Sequence, residues 1–140
     1  MTGARLPFFV YGTLRPGEHN HDLFLRGRTE SEEPARLSGA VLYQGPGYPF
    51  AVEAAGAGEV LGELVTAAPG HYGELLGVLD HLEEYFGPGD PRNVYERVER
   101  SVHTVGGTAA AWVYVAAGPV AGRLRAHGTS IPGGDWSAVG

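Results

Sequence analysis

An apolar run, Pro7-Phe8-Phe9-Val10-Tyr11, stops at Gly12, and the turn pair Pro16-Gly17 follows a few residues later. Four consecutive apolar or aromatic residues near the start of a chain read as a short buried strand. Pro16-Gly17 prevents any regular element from continuing. The chain must therefore deliver a short loop, with Tyr11 at its mouth, directly from a strand in the core. Glycine at such a break lets backbone approach a ligand closely. The amides of Gly12, Thr13 and Leu14 can then converge into an anion-holding concavity. Read without context, the same residues also fit a strand followed by an ordinary turn.

The rest of the chain allows little beyond a small domain of short elements. Its 23 glycines and 10 prolines are spread over 140 residues with no period, so turns must be frequent. The length suits one domain, residues 1–140, with a real core. Cysteine is absent, which removes disulfides, thiol nucleophiles and cysteine-based zinc sites. Lysine is absent too, which removes Schiff-base chemistry. A net charge of −6 argues against nucleic acid as a partner. No stretch reads as a signal peptide, and the longest apolar run, 109–117, is too short to span a bilayer. The expected location is the cytoplasm, and oligomeric state stays open.

Taken in order, residues 6–11 read as a strand and 18–26 as a short helix. His19-Asn20-His21 at its start reads as a solvated helix start rather than a metal site. Residues 29–34 are acidic and polar and read as a loop, 37–44 as a strand, and 48–52 as a short extended piece. Alternation over 59–67 gives a strand. The Gly-rich turn 56–58 before it is no dinucleotide fingerprint, because the run enters a strand. Residues 93–103 alternate with a valine face and put Tyr95 and Arg97 on the opposite one. Gly106-Gly107 forms a hairpin turn to a strand over 108–117. A short helix over 120–126 and a docked Trp136 complete the chain.

Residues 70–86 carry the one long helical pattern. With Leu79 set at zero and about 100° per residue, Tyr72, Leu75, Leu76, Leu82 and Phe86 fall within about 60° of it. Glu83 falls at about +40°, inside the apolar stripe, whereas Asp80 at about 100° and Glu84 at about 140° point toward solvent. A carboxylate aimed at the core needs a partner, a shifted pKa or an open cavity.

Val10-Tyr11-Gly12-Thr13-Leu14-Arg15-Pro16-Gly17 resembles the signature loop of the gamma-glutamylcyclotransferase-like (AIG2-like) superfamily. Gly47-Tyr48-Pro49, Val60-Leu61-Gly62-Glu63-Leu64, Leu79-Asp80-His81-Leu82-Glu83, Tyr95-Glu96-Arg97 and Gly134-Asp135-Trp136 resemble further elements of it, in order along nearly the whole chain. One position departs: the residue after the family's glutamate is often glycine and here is Glu84. The resemblance implies an α+β fold around a small, mostly antiparallel β-barrel with one long helix and short flanking helices. The cavity would lie between the Tyr11–Leu14 loop and the helix carrying Glu83.

The implied reaction needs no metal and no cofactor. The α-amine of a γ-glutamyl amide attacks its own γ-carbonyl, releasing 5-oxoproline and a free amine. Glu83 would serve as the catalytic base and acid. Tyr11, Gly12, Thr13, Leu14, Arg15, Tyr95 and Tyr114 would contact this small-molecule substrate, with the loop amides holding its α-carboxylate. A non-catalytic binding module on the same fold, or a hydrolase releasing glutamate, stays open. The amine half of the substrate is not legible, and the stretches 26–36 and 87–93 are the expected determinants of its choice.

Overall fold

The computed structural model describes residues 5–18, 20–56 and 58–136. The chain runs β1 (Phe8–Val10), a π-helical turn (His21–Leu25), β2 (Thr29–Ser38), β3 (Ala40–Gln44), β4 (Pro49–Glu53), β5 (Glu59–Ala67), α1 (Tyr72–Leu82), β6 (Tyr95–Thr104), β7 (Gly107–Ala116) and α2 (Gly118–His127). Five strands close into a barrel in the order β1-β5-β2-β6-β7, and β3 pairs with β4 as a separate hairpin. All barrel pairings are antiparallel except β1 with β7. The α+β barrel implied by the resemblance is therefore the fold observed. No helix among the described residues is long and apolar enough to cross a membrane.

The three-residue β1 is the closing piece. It sets Phe9 opposite Leu64 of β5 on one side and Val113 of β7 on the other. Its side chains alternate between two cores. Phe9 enters the barrel with Leu37, Leu64, Val102 and Val113. Phe8 and Val10 face outward, onto a second cluster with Leu75 and Leu79 of α1 and Leu25 of the π-helical turn. Leu75 and Leu79, one helical turn apart, are fully buried, and each contributes roughly 1.5–3 kcal/mol by leaving water. This packing seats α1 against the barrel beside the end of β1.

Close approach at two glycines sets where β1 runs. A Cβ on Gly62 of β5 would lie 2.2 Å from the Val10 carbonyl oxygen, and one on Gly12 would lie 2.8 Å from the Pro49 ring. The first glycine lets β5 pass under the end of β1, and the second lets the following loop press against β4.

Three expectations about the elements need correction, whereas the docked Trp136 is as expected. Residues 29–34 are strand, not loop: β2 pairs with β5 from Thr29 opposite Ala67 to Ser38 opposite Glu59. Glu30 and Glu33 are exposed and Glu32 is held by His21 and Thr29, and the apolar partner strand supplies the pairing that local composition does not. Pro34 is tolerated because β2 meets β6 only at Arg36–His103, so this stretch behaves as an edge. The expected strand over 37–44 divides at Gly39 between barrel and hairpin. The long helix stops at Leu82, leaving Glu83 as its C-cap and Phe86 half-exposed outside it. Trp136 packs against the barrel core, and its Nε1 donates to Glu18 at 3.2 Å.

Candidate active site

A cavity of about 220 Å³ opens between the loop after β1, the start of β4 and the C-terminal end of α1. Tyr11, Gly12, Thr13 and Leu14 form one wall, Tyr48 and Pro49 another, and Glu83 and Glu84 a third, with Tyr95 and Tyr114 below. Arg15 turns its back on this space. Its Nε donates to Glu63 at 2.9 Å and its Nη1 to Asp135 at 2.7 Å, so it clamps the outer side of the loop to β5 and to the tail. It is not among the lining residues.

The loop keeps its shape through its own bonds. The Arg15 amide donates to the Gly12 carbonyl at 3.1 Å, closing a tight turn. Asn20 Nδ2 donates to Thr13 Oγ1 at 2.9 Å, and Asn20 itself lines the cavity. The amides of Gly12, Thr13 and Leu14 donate to no backbone carbonyl among the described residues. Asn20 was not singled out from the sequence: an asparagine in a polar stretch carries no pattern until its neighbour is known. Of the two histidines beside it, His19 lies outside the described residues. His21 is engaged elsewhere, with Nε2 2.7 Å from Glu32 and Nδ1 3.3 Å from Asp22.

The three tyrosines contribute rings to the cavity and spend their hydroxyls on the frame. Tyr11 donates to the Tyr114 carbonyl at 2.6 Å and accepts from the Ala51 amide at 3.2 Å. Tyr95 donates to the Pro49 carbonyl at 2.7 Å. Its ring stacks on Phe50 at 4.8 Å between centroids. Tyr114 donates to Asp80 Oδ1 at 2.5 Å. Burial holds all three phenols well above their ordinary range, so they stay neutral and donating.

Asp80 therefore does not face open water as helical geometry alone suggests. Besides the Tyr114 hydroxyl it accepts Nε of Arg97 at 2.9 Å, and that guanidinium lies 4.4 Å from the Trp112 ring centroid. Arg97 and Tyr114 are register partners on β6 and β7. The signal for this network was the cross-strand register, which the sequence does not display.

Glu83 lines the cavity half-buried, and its carboxylate accepts no hydrogen bond among the described residues. Its backbone N–H donates to Leu79 at 2.9 Å, so the last turn of α1 fixes where it points. Burial, and secondarily the charge of Glu84, raise its pKa from 4.5 to about 7. A carboxyl group so poised can take and return a proton near neutrality.

Glu84 occupies the position that ends the helix, with φ 54°, alone among the described non-glycine residues in having a positive φ. Glycine takes this conformation at no steric cost. Glu84→Gly is therefore expected to stabilise the fold by about 1 kcal/mol, seen as a higher midpoint in chemical denaturation.

Comparison with known proteins gives consistent results. Residues 8–138 match the family described as gamma-glutamyl cyclotransferase, AIG2-like. The chain is 40% identical over 109 residues to the gamma-L-glutamyl-butirosin B gamma-glutamyl cyclotransferase of Niallia circulans, covering 76% of this chain and 64% of that protein. It resembles the crystal structure of YkqA from Bacillus subtilis with a TM-score of 0.65 and 28% identity, covering 95% of this chain and 40% of that one. An AIG2-like protein of Mus musculus shares the fold with a TM-score of 0.64 and 24% identity, over 80% of this chain and 77% of that one. The chain thus spans under two thirds of the length of the curated relative and less than half of YkqA.

Proposed function

The chain belongs to the gamma-glutamyl cyclotransferase, AIG2-like family, and on that premise we propose that it converts a γ-glutamyl amide into 5-oxoproline and a free amine. The observation that carries this reading is that the half-buried carboxyl group of Glu83 shares one cavity with the 12–14 loop, whose amides donate to no backbone carbonyl among the described residues. The amides of Gly12, Thr13 and Leu14 hold the substrate's α-carboxylate, which leaves the α-ammonium within reach of Glu83. Glu83 removes a proton from it, and the freed nitrogen attacks the γ-carbonyl to close a five-membered ring. As the tetrahedral centre collapses, the C–N bond to the amine breaks. The departing nitrogen receives the first proton back from Glu83, and the second proton shed by the ring nitrogen passes to the released amine, which leaves as an ammonium. No water is consumed. The attack is intramolecular, so holding the bent conformation supplies much of the acceleration.

The tyrosines act as walls and frame in this scheme, and Arg15 as a clamp on the loop rather than a contact to substrate. The test is to incubate the protein with γ-glutamyl-butirosin B, glutathione, γ-glutamyl amino acids and γ-glutamyl-ε-lysine, and to follow 5-oxoproline by mass spectrometry. Formation of 5-oxoproline with an equal amount of amine supports the reading. Release of glutamate instead would replace it with hydrolysis, and a folded protein with no turnover on any member would count against catalysis.

A pH profile follows. The base must be ionised in the free enzyme, so kcat/KM is expected to climb with pH and to level off above a midpoint near 7. Glu84 is the like charge that helps raise Glu83, so Glu84→Gln is expected to move that midpoint to lower pH. A profile flat from pH 5 to 8 would remove Glu83 from the role.

A further inference from the structure

Glu84 has features that a helix end does not require. Its backbone holds the left-handed conformation that glycine adopts freely. Its side chain lines the cavity while staying exposed to solvent, and it has no hydrogen-bond or ion-pair partner among the described residues. Glu83, the only other charged residue lining the cavity among the described residues, is likewise a carboxylate. None of the arginines lines it, and the one on the loop, Arg15, is held by Glu63 and Asp135. The cavity therefore offers negative charge at the α1 end and uncharged amide donors at the loop end.

These two ends divide the substrate between them. On the reading proposed above, on which this inference rests, the loop amides take the glutamyl carboxylate. The departing nitrogen must then lie within hydrogen-bond reach of Glu83. Whatever continues from that nitrogen leaves past the residue next to Glu83. We propose that Glu84 is a specificity residue for the amine half: it favours substrates whose leaving amine carries a second positive charge a few bonds from the scissile amide, and disfavours those with a carboxylate there. Peptide-like γ-glutamyl compounds, which expose a carboxylate beside the amide, are the poor class, and γ-glutamyl conjugates of polyamines or other polycationic amines are the good one.

The test uses three γ-glutamyl amides of equal length, made from putrescine, pentylamine and 5-aminopentanoate. They present an ammonium, a methyl and a carboxylate at the same distance from the amide. In the wild type, kcat/KM is expected to favour the ammonium over the methyl compound by about threefold to fivefold, and to favour the methyl over the carboxylate compound by a similar factor. In Glu84→Gln, which removes the charge and keeps the side-chain size, both ratios are expected to fall to roughly one. Glu84→Gly should do the same in a protein whose backbone strain is relieved, so a folding defect cannot imitate the result. Equal rates on all three compounds in the wild type, or ratios that survive in Glu84→Gln, would overturn the assignment of Glu84 while leaving cyclotransfer intact. No 5-oxoproline from any of the three would instead overturn the cyclotransferase reading and this preference with it.

Discussion

Glu83→Gln is expected to lower kcat/KM for 5-oxoproline formation by about 10²–10⁴-fold, the range that a positioned general acid–base supplies. The amide fills the same space and keeps the α1 end in place, so substrate binding should weaken far less than turnover. Stability should move the other way. The folded protein holds the Glu83 proton up to about pH 7, whereas the ordinary value is 4.5. The group therefore favours the fold fully below pH 4.5, and that contribution is lost as pH rises through 7. The whole difference is on the order of 3 kcal/mol. Glutamine carries no charge to desolvate, so Glu83→Gln should melt higher than the wild type at pH 8, with the gap closing at pH 5. Thermal denaturation at the two pH values measures this. An inactive variant with no such pH-dependent gap would mean that Glu83 is not buried as an acid.

Gly62→Ala is the second large effect, and it acts on the fold. The added methyl would stand 2.2 Å from the Val10 carbonyl and 3.0 Å from the Phe9 ring. Neither neighbour is a flexible side-chain end, so β1 or β5 must move. A cost of about 3 kcal/mol or more is expected, enough to leave a marginal domain substantially unfolded. Gly73→Ala is the contrasting change: a methyl there meets nothing within 4 Å, on a helix that gains from losing a glycine. It should stabilise by roughly 0.5–1 kcal/mol. Urea midpoints of the two variants should fall on opposite sides of the wild type.

The contrast between Gly62 and Gly73 shows what the sequence could and could not disclose. Both read as glycines within regular patterns, and only the pairing of β5 against β1 separates an obligatory one from a replaceable one. Glu83 was legible because one residue carried two signals, a motif position and an inward angle on a helix. Asp80 lies in the same motif but its angle pointed outward, and its real surroundings come from Arg97 and Tyr114 on strands far along the chain. Arg15 shows what a motif alone does not disclose: it sits inside the most informative motif, and its guanidinium is held by Glu63 and Asp135. The strand over 29–34 was hidden because its pairing partner, not its own composition, makes it a strand. Local rules located the elements that bury their own apolar faces. They failed where a distant partner decided the outcome.

The bond from Tyr11 to Tyr114 spans 103 residues, and β1 has no complete set of neighbours until β5 and β7 both exist. On a ribosome the first strand emerges early and must wait, unpaired, while most of the remaining chain is made. The pairing of β6 with β7 and the hydrogen bonds within α1 are local, so these two elements are expected to form sooner. The cavity is consequently a late product of folding, since two of its walls meet only when β1 slots in. In refolding from urea, helical signal should return ahead of turnover, and recovered activity then counts only those molecules whose barrel has closed.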